Sequence, residues 1–145
     1  MIVDLHAAIH KALSNDAILL ELMGLTGADP LTKAKRFQKR ARPQELIVEN
    51  LPLISFYANP SGGLDPRNFM TYQAVFVFDA YTQDDVSLAQ NIAKHITNLF
   101  HAEISPFEEV ENFETLLVSQ YESERDFPNS YTFTTVLRFT IALEK

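Results

Sequence analysis

The chain has no cysteine. Disulfides, thiolate metal sites and thiol nucleophiles are therefore excluded. No apolar run approaches the roughly 20 residues that span a bilayer, so no membrane partner is expected. Asp4 and His6 interrupt the first apolar stretch and no basic segment precedes it, so no secretory leader is expected either. A phosphate-binding loop is missing: Ser61, Gly62 and Gly63 lack the glycine spacing, the Lys-Ser/Thr end and the following helix. There is no Gly-x-Ser-x-Gly elbow and no kinase signature. The sequence implies neither an enzyme nor a cofactor.

Positive charge is also scarce, with one exception. The 145 residues hold 12 Lys and Arg against 19 Asp and Glu. Six of those cations, Lys33, Lys35, Arg36, Lys39, Arg40 and Arg42, fall in the ten residues "KAKRFQKRAR". Removing them from the formal net charge of −7 leaves −13 for the rest. The body should repel polyanions, while this stretch attracts them or attracts another copy of the body.

What remains is an ordinary mixture for one domain of residues 1–145, long enough to bury a core. Ile2, Leu5, Ile9 and Leu13 fall at spacings of three and four and predict a helix over 2–14. Ser14 to Asp16 offers a break, and a short apolar helix follows, stopped at Gly24. Residues 27–45 read as a basic loop or arm of low helical content. A first strand is placed at 52–58, starting at or after Pro52. Residues 58–68, rich in Pro, Gly, Asn and Asp, read as a long hairpin loop.

The second strand, 69–81, alternates Met70, Tyr72, Ala74, Phe76, Phe78 and Ala80 against Thr71, Gln73, Val75, Val77 and Asp79. Thr82 with Asp85 fits a capping box for the next helix. Its stripe of Leu88, Ala89, Ile92, Ala93, Ile96, Leu99 and Phe100 should cover Phe76 and Phe78. Strands at 112–123 and 130–143 follow, joined by a turn at "ERDFPN". The fold expected is an α+β two-layer sandwich in α-β-β-α-β-β order. Two helices pack on one face of a four-stranded, mainly antiparallel sheet. Strand directions favour the strand order 1-2-4-3.

The other sheet face should carry Thr71, Gln73, Val75, Thr132, Thr134 and Arg138, a mixed surface suited to a subunit contact or to water. Glu108, Glu109, Glu111 and Glu114 form an acidic patch that could dock a basic arm. His6 and His10 sit at i, i+4 but lack a third ligand, so no metal is expected there. His95 and His101 read as solvated. Three roles fit the basic stretch: docking on an acidic protein surface, facing DNA, or solvating a loop. Phe37, its lone aromatic, suits an anchor in a partner's groove better than base stacking.

Four segments carry a family resemblance: "LHAAIHKALSNDAILLELMG", "PLISFY", "VFVFDAYTQDDVSLAQNIAKHITNLFH" and "YTFTTVLRFTIALEK". Together they resemble the tail terminator, or tail completion, proteins of long-tailed bacteriophages. The resemblance covers most of the chain by pattern; 27–45 and 58–68 fall outside it. It implies a ring of identical subunits, typically a hexamer, in the virion at the tail–head junction, assembled in the bacterial host cytoplasm. Implied partners are further copies of the chain, the tail tube protein and the head–tail connector, with DNA passing through the lumen. It implies no catalytic residues. A head-closure or neck role, and a small nucleic-acid-binding module using 33–42, stand as alternatives.

Overall fold

The computed structural model describes residues 2–45, 48–103, 106–124 and 129–143. Helix α1 (Ile2–Ser14) buries Leu5, Ala8, Ile9 and Leu13 along one stripe. Asp16 caps α2 (Ala17–Leu22), its carboxylate accepting the N–H of Leu19. That helix ends in a left-handed turn at Gly24, φ 69°. Leu25 N–H reaches back to Leu20 O and Gly24 N–H to Glu21 O, which satisfies two terminal carbonyls.

A third helix, α3 (Pro30–Arg36), fills much of the segment read as a loop. Its start is chemically plain: Asp29 accepts the Thr32 N–H at 2.7 Å, and Pro30 needs no donor in the first turn. None of its residues is buried, so no apolar stripe marks it. It runs straight into β1 (Phe37–Gln38), which pairs parallel with β2 (Leu53–Asp65). A 3-10 turn, Val48–Asn50, precedes β2.

β2 and β3 (Asn68–Thr82) form a long antiparallel hairpin. The loop expected at 58–68 is mostly strand. A bulge between Asn59 and Gly63 takes up Pro60, and the ladder resumes to Asp65 opposite Asn68. Gly62 is required by space: a Cβ there would lie 2.7 Å from Gln73 O. Helix α4 (Val86–Phe100) follows. Its cap is Asp85, which accepts the Leu88 N–H, rather than Thr82, whose hydroxyl instead bonds the Asp85 main chain. β4 (Asn112–Ser123) and β5 (Tyr131–Ala142) complete the sheet. Residues 125–128 of the turn expected between them lie outside the described residues.

Among the described residues the sheet is five-stranded and mixed, ordered β1-β2-β3-β5-β4, and four α-helices accompany it. This corrects the four-stranded, two-helix, α-β-β-α-β-β architecture. The differences are α2, which stands as a helix separate from α1, and the additions α3 and β1, too short and too exposed or irregular to show a period. The four long strands keep the order 1-2-4-3 that strand direction favours. Between sheet and helices lies the core. Phe78 and Phe100 stack at 6.1 Å, Phe100 meets Phe139 at 5.7 Å, and Phe76 meets Phe139 edge-on at 5.9 Å. Such contacts add to the large area that each ring buries.

Candidate assembly surfaces

Register places Gln38 beside Ser55 on the sheet face away from the helices. Gln38 Nε2 donates to Lys35 O and Gln44 O, and its Oε1 accepts the Gln44 N–H at 2.7 Å. Ser55 Oγ donates to Arg40 O. One buried glutamine thus fixes the course of the basic segment. Sequence reasoning passed over it, because a single Gln among charges carries no pattern.

The basic stretch divides into inward and outward parts. Phe37 is 1 % exposed and belongs to the core cluster. Arg36 points inward, with Nε donating to Pro52 O at 2.6 Å and Nη2 to Met23 O at 2.9 Å. Burial depresses the pKa of its guanidinium below the ordinary value. These two residues are corrected from partner contacts to structural ones: they tie α3 to the end of α2 and the start of β2. Lys35 lies 3.9 Å from Glu45, and Lys33 is half-buried. Lys39, Arg40 and Arg42 are exposed.

The acidic patch divides likewise. Glu109 holds Lys11 of α1 at 2.7 Å, and Glu108 stands 4.0 Å from the same ammonium. The hydrogen bond from Lys11 lowers the Glu109 pKa and raises that of Lys11. Glu111 and Glu114 are exposed at the start of β4 and have no ion pair among the described residues. Between them Phe113, 44 % exposed, stands beside a break in the β4–β5 register.

The sheet-face contact is smaller than alternation suggests. Thr134 is fully buried: its hydroxyl donates to Asp79 Oδ1 at 2.6 Å. A hydroxyl has one proton, so Ser123 Oγ is the donor in its 2.5 Å contact with Thr134 Oγ1. Thr132 is buried, and Thr71 is buried with its hydroxyl on Asn68 O. Those three threonines are therefore corrected from free contact residues to parts of the folded interior. Gln73, Val75 and Arg138 remain partly accessible. Arg138 Nε is buried without a hydrogen-bond partner among the described residues.

The histidines are structural as well. His6 Nδ1 donates to Ile2 O, and its ring meets Phe76 edge-on at 4.7 Å. His10 faces the Phe37 ring at 6.5 Å; burial, then the charge of Lys39, lowers its pKa. His95, expected in solvent, bonds Asp16. His101 Nδ1 accepts the Leu117 N–H, and Ala102 N–H donates to Thr115 O, so the end of α4 covers part of the β4 edge. Among the described residues no group of three or more His, Asp or Glu could hold a metal. No helix among them is long and apolar enough to cross a membrane.

β1 and β4 are the outermost strands, so the exposed cations and the exposed acids lie at opposite edges of one sheet. β1 pairs at Ile54, opposite Ala80, whereas Glu114 pairs at Thr140, opposite Gln73. The offset along β3 and the four strand spacings separate the patches by about 30 Å. A third surface is the β2–β3 hairpin tip, where Phe69 is 76 % exposed and Leu64 and Met70 are exposed beside it. Alternation had placed Met70 toward the core, and no sequence signal marks where the hairpin leaves it.

No family model matches the chain, and no curated protein does. A solved structure does: a chain of the "Virion of native gene transfer agent (GTA) particle" superposes with a TM-score of 0.67. It is 15 % identical, and the match covers 96 % of this chain and 95 % of that one. The two chains share a fold from end to end.

Proposed function

We propose that this chain is a structural subunit of a tailed, phage-like particle, closing into a ring on the tail tube. The ring ends tube polymerisation and offers the surface that meets the head connector. It is hexameric by the family resemblance, and DNA passes through its lumen. The observation that carries the reading is the end-to-end fold likeness to a chain of a gene transfer agent virion. The placement of charge supports it. Cations beside one outer strand and acids at the start of the other favour a head-to-tail contact between copies, and such contacts close into rings when the rotation allows. The net negative charge suits a lumen that lets DNA slide.

Inactivating the gene in a producing strain tests the role. Loss of a terminator leaves overlong tubes and tailless heads. Tails of normal length beside leaking heads would move the subunit to the head side, as a neck protein. Intact infectious or gene-transferring particles would sink both roles.

A further inference from the structure

The two charged edges differ in shape as well as sign. Beside β1 lies a concavity of about 550 Å³, lined by His10, Phe37, Gln38, Lys39 and Arg40 among others. Its floor includes the half-buried imidazole of His10, which rests edge-on against the buried Phe37 ring behind it. Its rim is cationic. The rim carboxylate, Glu45, faces Lys35 within the same chain and leaves Lys39 and Arg40 unpaired among the described residues. The β4 edge carries the converse shape. Phe113 projects into solvent, with Glu111 before it and Glu114 after it, both exposed.

We infer that Phe113 of one copy seats in the β1 concavity of the next, where Glu111 and Glu114 pair with Lys39 and Arg40. The inference rests on the ring reading above and names its contact. An aromatic side chain in a cationic recess floored by the His10 ring gains edge-on ring contact and cation–π attraction, while flanking charges exclude water and set register. The two halves lie about 30 Å apart on one subunit, too far to meet within it. The contact therefore joins two copies, and in the proposed ring it is heterologous, each copy offering one half to each neighbour.

The absence of cysteine makes a clean test. Prepare full-length Lys39→Cys, Glu114→Cys and the double variant, and oxidise each mildly across a concentration series. Cysteines 30 Å apart cannot pair within a chain. The double variant should give a ladder of cross-linked oligomers, the mixed single variants a dimer, and each single variant alone little product. Adding Phe113→Ala to the double variant should slow cross-linking at least tenfold, with unchanged circular dichroism and thermal midpoint. The inference is overturned by equal cross-linking in the single variants, by indifference to Phe113→Ala, or by no ladder at any concentration. Salt-sensitive retention of duplex DNA, lost in Lys39→Ala/Arg40→Ala, with no ladder, would overturn it in favour of a nucleic-acid contact. Electron micrographs of the unmodified chain separate the two levels. Rings without the cross-link sink this contact but keep the ring reading; a ladder with uncapped tubes keeps the contact and sinks the terminator role.

Discussion

His95 Nε2 lies 2.5 Å from Asp16 Oδ2, and that same oxygen accepts the Leu19 N–H at 2.9 Å. One carboxylate therefore caps α2 and fastens it to α4, 79 positions along the chain. Both side chains are largely withdrawn from water. Asp16→Ala removes the cap and the tie together and should cost about 2 kcal/mol. Asp16→Asn keeps an acceptor for Leu19 and should recover about half of that. Urea unfolding followed by circular dichroism measures both.

Phe37 and Phe113 form an opposed pair of aromatic tests. Phe37→Ala empties a filled site beneath α1 and should cost about 3–5 kcal/mol. Phe113→Ala trims a solvent-facing ring and should change monomer stability by no more than about 0.5 kcal/mol. Denaturant midpoints at equal protein concentration separate the two. Equal losses would contradict the division of this chain into core and contact aromatics.

Thr134 sits between two oxygens in the buried centre of the sheet. Thr134→Val keeps the shape but removes the donor to Asp79 and the acceptor for Ser123. A loss of about 1–3 kcal/mol is expected from leaving polar atoms there short of a partner. Ser123→Ala should cost less, because Thr134 keeps its bond to Asp79.

His10 gives stability a dependence on acid. Burial, reinforced by Lys39, holds its folded-state pKa below the ordinary 6.5. Below pH 6.5 the unfolded chain takes up this proton before the folded one does. The contribution is therefore complete above pH 6.5 and is lost as the pH falls toward the depressed folded value. Unfolding free energies measured from pH 7.5 downward should decline more steeply for the natural chain than for His10→Gln. Lys39→Met should give an intermediate slope.

These residues also show what a sequence can and cannot reveal. β3, β5 and α4 were readable because each repeats its period often enough to define a face. Periodicity names a face but not what lies over it, so Thr132 and Thr134 were assigned to a surface although they are buried. Phe37 was misread for the opposite reason: a lone aromatic among cations has no period, and its burial is decided by β2 and α1. The Asp29-Pro30 pair did announce α3, as a cap followed by a first-turn proline, but the surrounding charges masked it. In 58–68, Pro60 and Gly62 suggested a loop, whereas they serve a bulge and a close backbone approach within a strand. Of the contact surfaces, the charge split was plain in composition. Its geometry, one sign at each outer edge of the sheet, came only with the sheet order.

The most direct measurement is the length of tail tubes polymerised in vitro with and without this chain. Added to polymerising tube protein, it should stop growth and leave a ring of subunits at one end of each tube in electron micrographs. Glu111→Lys/Glu114→Lys should abolish that cap, and mixing it with Lys39→Glu/Arg40→Glu should restore it by re-pairing opposite charges in alternate subunits. Tubes of uncontrolled length with bare ends, in the presence of the unaltered chain, would contradict the assembly role.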